Sequence, residues 1–225
     1  MQKNVIVTGG SSGIGEQIAK LLIQRECKVF VLSRRASSVV FEGCFSYDCD
    51  LSKIETIDKV LERITREHNI DHFDILVNCA GVGYATSLEK LTQEQYHQIM
   101  DVNLKGLIFM TKSVIPLMQR ESVICNISSI AGIKGFEDWS IYCASKFGIE
   151  GFTKALRYEV RKKGIKVMIV RPGAVDTPLY HFVDDTEKQF FMKPETVASV
   201  IVHNLFLEKN ACTEEIFINN SIGDI

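Results

Sequence analysis

The chain has 225 residues, of which 46% are hydrophobic and 24% charged, and its formal net charge is −2 at pH 7. This size suits one or two globular domains with a sizeable core, and the lack of a basic stripe or a block of like charges argues against a nucleic-acid partner. No apolar run approaches the roughly 18 residues of a membrane span, and the N-terminal one is too short for a signal peptide. Seven cysteines without a Cys-x-x-Cys pair predict free thiols in a reducing, cytoplasmic compartment.

Strand and helix patterns alternate along the chain. In chain order, we predict a strand at 5–7, a helix at 14–22, a strand at 28–32, a weak strand at 45–50, a helix at 54–64, a strand at 74–78, helices at 92–100 and 103–118, a strand at 123–127, a helix at 142–162, a strand at 166–170, a helix at 194–207 and a closing strand at 215–218. Because the strands are continuously apolar, this alternation predicts an α/β fold, with a doubly wound parallel sheet and helices on both faces, in a single domain over 1–225. Ligands of such sheets bind at the carboxyl ends of the strands.

The first predicted strand runs into a glycine-rich turn, TGGSSGIG, at residues 8–15. Gly9, Gly13 and Gly15 stand where a tight turn, a close approach of backbone to a pyrophosphate and close helix packing each need glycine. The N-terminus of the following helix supplies N–H groups and partial positive charge for phosphates. No Gly-Lys-Ser/Thr follows, which argues against a P-loop NTPase. The alternative reading is a glycine-rich turn without a ligand.

A tyrosine precedes a lysine by four residues twice, at Tyr142 and Lys146 and again at Tyr158 and Lys162. The spacing alone proves nothing, because it arises readily by chance. Tyr142 begins a helix soon after a strand that ends in a serine pair, at the edge of the sheet where ligands bind. The second pair lies among charged residues at the far end of the same helix, which predicts a solvated face.

Taken in order, these motifs resemble those of the short-chain dehydrogenase/reductase family. The resemblance is carried by Thr8-Gly-x-x-x-Gly-x-Gly15, Asp50-Leu51, Asn78-Cys-Ala-Gly81, Asn103, Asn126-Ile-Ser-Ser129, Tyr142-x-x-x-Lys146, and Pro172-Gly173 followed by Val175 and Thr177. Cys79 departs from the family's Asn-Asn-Ala-Gly motif at its second position. The resemblance covers nearly the whole chain. It implies a Rossmann-type enzyme that interconverts a ketone or aldehyde and the alcohol by hydride transfer.

Four residues form the predicted catalytic set. Free tyrosine titrates near pH ~10, and a nearby ammonium stabilises the phenolate and lowers that pKa. We therefore expect Tyr142 to be the acid/base and Lys146, one helical turn on, to lower its pKa. The resemblance further implies that Lys146 holds the ribose hydroxyls, that Ser129 hydrogen-bonds the substrate oxygen, and that Asn103 holds a water that links Lys146 to solvent.

The cofactor is predicted to be NADP(H), with NAD(H) also possible. NAD-binding members of this fold hold the ribose with an acidic residue at the end of the second strand, where this chain has Ser33-Arg34-Arg35. A guanidinium there suits a 2′-phosphate. The predicted cofactor contacts are Gly9, Ser11, Ser12, Gly13, Ile14, Gly15, Ser33, Arg34, Arg35, Asp50, Leu51, Asn78, Ala80, Gly81, Tyr142, Lys146, Pro172, Gly173, Val175 and Thr177. No metal site and no membrane partner is predicted.

Two other functions remain open on the sequence. One is dehydration or epimerisation of a sugar nucleotide at the same site, but the chain is short and has no obvious second substrate domain. The other is a catalytically silent NADP(H)-binding sensor or regulatory protein on the same fold. The intact set of Asn103, Ser129, Tyr142 and Lys146 argues against the sensor.

Three further expectations concern the substrate and the assembly. Apolar and aromatic residues in the expected pocket walls favour a hydrophobic carbonyl or alcohol as the small-molecule substrate. The apolar helices at 103–118 and 142–156 predict a homodimer or homotetramer. The apolar clusters of 178–193 predict a lid that closes over substrate and cofactor, with a permanently packed subdomain as the alternative.

Overall fold

The computed structural model describes residues 2–34, 36 and 41–224. These residues form a seven-stranded parallel sheet in the order β3-β2-β1-β4-β5-β6-β7, with helices on both faces, which confirms the predicted fold class. The strands are β1 Asn4–Thr8, β2 Lys28–Ser33, β3 Cys44–Asp48, β4 Phe73–Asn78, β5 Met118–Ile127, β6 Lys166–Pro172 and β7 Glu215–Ile218. The helices are α1 Gly13–Gln24, α2 Ile57–His68, α3 Gln93–Met100, α4 Leu107–Val114, α5 Ser140–Val160, the single turn α6 Asp185–Lys188, and α7 Pro194–Leu205.

Each central strand supplies two hydrophobic cores, one on either face of the sheet. In β1 every residue is buried, so the strand reads as one apolar run. Val5 and Val7 pack on the face covered by α1 and α7, whereas Ile6 packs on the face covered by α2, α4 and α5. Successive side chains of a strand point to opposite faces, which explains why a strand covered on both sides shows no polar alternation.

The chain changes direction across the sheet at β1. This strand pairs with β2 on one side and with β4 on the other, so that Thr8 lies opposite Leu32 and opposite Asn78. The connections from these strands leave to opposite sides, and a crevice opens at their carboxyl ends. The glycine-rich turn follows β1 directly and therefore emerges at this crevice.

The predicted helix at 103–118 is wrong as a single element. The chain forms a π-helical turn at Asp101–Gly106, then α4, then a 3₁₀ turn at Ile115–Leu117, and β5 begins directly afterwards. Pro116 explains the end of the α-helix, because proline lacks the N–H group that would donate to the carbonyl four residues earlier. Among the described residues, no helix has the length and apolar character needed to cross a membrane.

The segment 178–193 connects the loop after β6 to α7. It contains one 3₁₀ turn, Pro178–Tyr180, and α6, and is otherwise irregular, as its pattern predicts. Its C-terminal end is tied to the loop after β6, because Met192 N–H donates to the Ala174 carbonyl at 3.0 Å. Phe182 and Phe190 are each 50% exposed, so part of its apolar surface is not covered by the domain.

Candidate active site

A cavity of about 460 Å³ runs along the carboxyl edge of the sheet. The predicted site residues that line it are Gly9, Ser11, Ser12, Gly13, Ile14, Gly15, Ser33, Arg34, Asp50, Leu51, Ala80, Gly81, Ser129, Tyr142, Lys146, Pro172, Gly173, Val175 and Thr177. Asn78 and Asn103 are not among the lining residues, and Arg35 lies outside the described residues. The fold therefore brings most of the predicted set to one place.

The turn after β1 packs so closely on neighbouring backbone that its glycines leave no room for side chains. Gly9 has a φ of +68°, and a Cβ there would lie 2.7 Å from the Cα atom of Ala80. A Cβ on Gly15 would collide with the carbonyl oxygen of Gly9, so α1 packs directly on the turn. The hydroxyl of Thr8 accepts hydrogen bonds from the N–H groups of Cys79 (3.1 Å) and Ala80 (3.2 Å), which fixes this turn against the loop after β4.

The N-terminus of α1 points its free donors at the same cavity. Ser12 is the N-cap residue, with extended backbone, and its side chain caps no N–H group of the helix. The first N–H groups of a helix have no intrahelical partner, and here they lie beside the glycine turn that lines the cavity. Uncapped donors and a partial positive charge beside bare backbone fit the pyrophosphate of a dinucleotide.

From the glycine turn, the cavity extends to the carboxyl ends of β2 and β3. Ser33 and Arg34 line it, and the Ser33 hydroxyl is buried without a hydrogen-bond partner among the described residues. The Asp50 carboxylate accepts hydrogen bonds from the N–H (3.1 Å) and the hydroxyl (2.7 Å) of Ser52, so it stabilises its own turn. A buried hydroxyl that lacks a partner, next to an exposed guanidinium, fits the ribose and phosphate of an adenosine group.

Asn78 belongs to a buried amide network beneath the cavity. Its side-chain N–H groups donate to the Thr111 hydroxyl and to the Asn126 carbonyl oxygen, both at 2.9 Å. Asn126 in turn donates to Thr153 on α5 at 2.9 Å. The network joins β4, β5, α4 and α5, and so holds the strand end from which the Ala80 backbone enters the cavity.

Asn103 occupies the π-helical turn that precedes α4 and is fully buried. Its amide pairs with the backbone of Val82 in both directions, each at 2.8 Å, and it also donates to the Ser145 hydroxyl at 3.1 Å. Gly81 lies between Asn103 and Lys146, because a Cβ on Gly81 would be 3.5 Å from the Asn103 Oδ1 and 3.8 Å from the Lys146 Nζ. π-Helical turns of this kind are frequent at functional sites.

The side chains of Ser129, Tyr142 and Lys146 meet at the cavity wall and are all buried, with exposures of 9%, 7% and 5%. The Lys146 ammonium lies 5.5 Å from the centre of the Tyr142 ring and donates to the Ile127 carbonyl at 3.0 Å. Ser129 follows β5 with extended backbone, and its hydroxyl accepts from the Ala131 N–H at 3.1 Å. The helix α5 and the end of β5 together fix this constellation.

The Tyr142 phenol has a pKa above its ordinary value, whereas the sequence predicts a lowered one. Burial raises the pKa of Tyr142 most, the Tyr180 phenol raises it further, and a side-chain hydrogen bond with Ser129 lowers it. The Lys146 ammonium is directed at the tyrosine ring and at a backbone carbonyl. Desolvation therefore outweighs the effect expected from the neighbouring ammonium.

The pKa of Lys146 is shifted the other way, below its ordinary value. Burial lowers the pKa of Lys146 to about 8, whereas Cys79 and Glu150 each oppose that shift. An ammonium with this pKa is charged at neutral pH and loses its proton in mildly alkaline solution. Strong shifts caused by burial, in two residues that share a cavity wall, are typical of functional sites.

Aromatic side chains form the wall beyond Tyr142. The Trp139 ring packs edge-on against Tyr142 with centroids 5.2 Å apart, and Tyr180 lies 6.1 Å from Trp139. Gly83 makes room for this contact, since a Cβ there would lie 2.9 Å from the indole. Leu179 packs in the same cluster, so the segment after β6 already covers part of the site.

Sequence analysis did not assign a site role to several other residues that line the cavity. They are Leu32, Cys49, Cys79, Val102, Ile127 and Ser128. The rule that ligands meet the carboxyl ends of parallel strands could have identified Cys79 and Ser128, which follow β4 and β5 directly. The same rule covers Leu32, Cys49 and Ile127, which lie at or directly after the carboxyl ends of β2, β3 and β5. Val102 lies in the π-helical turn, for which the sequence carries no periodic signal.

Comparison with known proteins gives the family. The model of the short chain dehydrogenase family matches residues 3–188. The chain is 34% identical to a sepiapterin reductase of Chlorobaculum tepidum, over 100% of this chain and 99% of the relative. It is 39% identical to carbonyl reductase family member 4 of Xenopus tropicalis, over 80% of this chain and 78% of the relative. Among solved structures, a short chain dehydrogenase from Burkholderia cenocepacia in complex with NADP superposes with a TM-score of 0.85 at 25% identity, over 97% of this chain and 96% of the other.

The chain therefore belongs to the short-chain dehydrogenase/reductase family, as the order of its motifs predicts. The family model describes a dehydrogenase and these relatives are named reductases, so the protein is an oxidoreductase that acts on alcohol or carbonyl groups. All the motifs that carry the resemblance, from Thr8 to Thr177, lie within the residues that the family model matches.

Proposed function

We propose that the protein is an NADP(H)-dependent carbonyl reductase that reduces a ketone or aldehyde to the alcohol, with Tyr142 as the proton donor. The observation that carries the proposal is one cavity that joins a glycine turn and an uncapped helix N-terminus to the side chains of Ser129, Tyr142 and Lys146. The reductases among the relatives support the same direction of reaction.

The residues proposed to hold the cofactor divide the cavity between them. The glycine turn and the N-terminus of α1 would bind the pyrophosphate, Lys146 the ribose hydroxyls, and residues 172–177 the nicotinamide. When bound, the cofactor supplies the hydride. Ser33 and Arg34 favour NADP(H), because a guanidinium pairs with a 2′-phosphate, and NAD(H) would bind with lower efficiency. The related structure in complex with NADP supports this preference.

Tyr142 is the proposed proton donor because its phenol lies in the cavity wall together with Ser129 and Lys146. A phenol is protonated at neutral pH and can donate that proton to a carbonyl oxygen. Burial, which raises the pKa of Tyr142, keeps the group protonated until a stabilising charge favours the phenolate. Ser129 would hydrogen-bond that oxygen, and the Lys146 ammonium would stabilise the phenolate that remains. Asn103 would hold a water through which the site regains its proton from solvent.

The walls of the cavity favour a hydrophobic carbonyl compound. Trp139, Leu179 and Tyr180 line or adjoin the space next to Tyr142. Large aromatic and aliphatic surfaces bind apolar groups of a ligand, while a few polar groups set its orientation. Sugar nucleotides would leave many hydroxyl groups against these walls without partners.

Assembly and compartment are further parts of the proposal. On α5, Phe147 is 49% exposed, and Leu104 in the π-helical turn and Ile108 on α4 are only partly buried. A second copy of the chain packed on α4 and α5 would bury this surface and give a homodimer or homotetramer. All seven cysteines are free thiols, which fits the cytoplasm. Light scattering that gave a monomer at micromolar concentration would contradict the assembly.

The central experiment measures NADPH oxidation with a panel of ketones, aldehydes and diketones, with Tyr142→Phe as the matched control. We expect turnover of at least one hydrophobic carbonyl compound and its loss in the variant. Tight binding of NADPH without turnover of any compound would favour the silent sensor instead. Absence of NADPH binding would contradict both functions.

A further inference from the structure

A buried ion pair lies one helical turn beyond Lys146. Glu150 on α5 is 5% exposed, and Arg171 in β6 is 7% exposed. The guanidinium donates two parallel hydrogen bonds to the carboxylate, from Nε to Oε1 at 2.9 Å and from Nη2 to Oε2 at 2.7 Å. Bidentate pairs of this kind fix the orientation of both side chains.

This pair connects three parts of the candidate active site. Glu150 follows Lys146 by one turn of α5, and Arg171 directly precedes the 172–177 loop. The Glu150 carboxylate also packs against the turn after β5, since a Cβ on Gly132 would lie 3.2 Å from its Oε1. Neither member of the pair lines the cavity, so neither can touch substrate or cofactor.

The charges continue outward from the pair to the protein surface. Arg171 Nη1 donates to the Glu215 carboxylate at 2.8 Å, and Arg157 donates to the other oxygen of Glu215 at 3.3 Å. Arg171 therefore has a second acceptor at the rim, whereas Glu150 has Arg171 as its only ionic partner among the described residues. Among the described residues, the charge of the Glu150 carboxylate, which acts on Lys146, is thus balanced by one guanidinium, that of Arg171.

We propose that Glu150 and Arg171 form a positioning pair, which holds α5 against the 172–177 loop and balances the charge beside the Lys146 ammonium. The inference rests on the proposed function, because it concerns the residues that would hold NADP(H). The pair acts through Lys146 and through the loop.

The two members of the pair act on Lys146 with opposite sign. The groups that face the ammonium are Tyr142 and Glu150 on α5, Cys79 after β4 and the Ile127 carbonyl on β5, with Arg171 behind Glu150. Removing the carboxylate lowers the pKa of Lys146, because the Glu150 charge raises that pKa and Arg171 stays positively charged. Removing the guanidinium leaves that pKa unchanged, or raises it while Glu150 stays ionised.

The test measures the dissociation constant of NADPH from pH 6.5 to 10 for the wild type, Glu150→Gln and Arg171→Met. In the wild type we expect affinity to fall above a pH of about 8, where Lys146 loses its proton. Glu150→Gln should move this onset down by about one pH unit, at the low end of what a nearby charge produces. Arg171→Met should leave the onset in place or move it up.

A merely structural pair predicts a different pattern. Both variants would then melt at lower temperature, yet their onsets would match the wild type, and that result would overturn the proposal. An equal downward shift in both would overturn it too. Arg63→Met, which breaks an exposed ion pair on α2, is the control and should change neither onset nor affinity. A wild type that does not bind NADPH would contradict the proposed function itself.

The double variant Glu150→Met/Arg171→Met keeps the test decisive if a single variant fails to fold. Apolar residues of similar volume often replace a buried ion pair without loss of stability. We expect the double variant to melt near the wild type but to bind NADPH about fivefold more weakly at pH 7, comparable to the net loss of one hydrogen bond. If the double variant had both the melting temperature and the NADPH affinity of the wild type, the positioning role would be overturned.

Discussion

The two ends of α5 carry the same pattern, a tyrosine four residues before a lysine, in opposite environments. At the carboxyl edge of the sheet, Tyr142 and Lys146 are 7% and 5% exposed and border the cavity. At the other edge Tyr158 is 73% exposed, and its ring lies 5.3 Å from the guanidinium of Arg161. Identical spacing on one helix thus yields one enclosed pair and one solvated pair.

Desolvation separates the chemistry of the two pairs. Water and salt screen the charges at the exposed end. At the buried end the pKa of Lys146 falls to about 8 and that of Tyr142 rises. Both shifts come chiefly from burial, and both groups keep an open path to the cavity. The fold gives the motif its chemistry by enclosing it next to a ligand-sized space.

The largest expected effect comes from removing one hydroxyl at each end of α5. Tyr142→Phe keeps the ring and removes the proton donor, so kcat should fall by roughly 10²–10⁴-fold, the range of general acid catalysis. The dissociation constant of NADPH should change little. Tyr158→Phe is the matched control and should be nearly silent. A Tyr142→Phe enzyme with near wild-type turnover would remove this residue from the mechanism.

The lysines extend the comparison to two measurements. Lys146→Met should lower kcat and also weaken NADPH binding by about 10-fold, because the ammonium stabilises the phenolate and would bind the ribose through charge-assisted hydrogen bonds. The variant should also lose the fall in affinity that the wild type shows as the pH rises through about 8. Lys162→Met should change neither quantity. Unaltered NADPH binding in Lys146→Met would refute the ribose contact.

Arginines at the two edges of the sheet test the choice of cofactor. Arg34 lines the cavity at the tip of β2, and Arg161 lies near the C-terminal end of α5. We expect kcat/KM with NADPH to exceed that with NADH by about 10-fold, since a charge-assisted phosphate contact contributes about 1.5–3 kcal/mol. Arg34→Ala should remove most of that ratio, and Arg161→Ala should retain it. Equal efficiency of the wild type with both cofactors would contradict the NADP(H) preference.

The sequence predicted those parts of the molecule that short-range rules determine. Continuous apolar strands gave the parallel sheet, and the glycine turn followed β1 because bare backbone is needed where Gly9 meets Ala80. Residues fixed to strand ends, such as Ser129, could therefore be assigned to the cavity. Pro116 could also have marked the end of the helix before β5, since proline stops helices by a local mechanism.

Other features depend on long-range packing and could not be read from the sequence. The π-helical turn around Asn103 inserts into a helix whose apolar pattern shows no break, and a Cβ on Gly106 would lie 2.7 Å from Leu51. Asn78 matches a cofactor motif, yet its side-chain amide hydrogen-bonds within the buried network beneath the cavity. The raised pKa of Tyr142 follows from burial by loops whose course has no periodic signal.

The smallest expected effect is a change in amide exchange in the segment 178–193, which lies at the same edge of the sheet as Tyr142. Its last residues are anchored, because Asn220 donates to the Phe190 carbonyl at 2.8 Å and Met192 bonds the loop after β6. The preceding part exposes half of Phe182 and covers the cavity with Leu179. We predict that the anchored end is the hinge of a lid and that residues 178–189 are the part that moves.

Hydrogen exchange by mass spectrometry, with and without NADPH, tests whether this part is a lid. We expect NADPH to slow amide exchange in 178–189 more than in 92–118, because closure over the cofactor excludes water from the cavity. The Met192 amide should exchange slowly in both states, since its N–H donates to the Ala174 carbonyl outside the segment and this bond does not involve the cofactor. Full protection of 178–189 without NADPH would instead identify a permanently packed subdomain. The aromatic wall beside Tyr142 would then be preformed, and substrates would be selected by fit to a fixed surface.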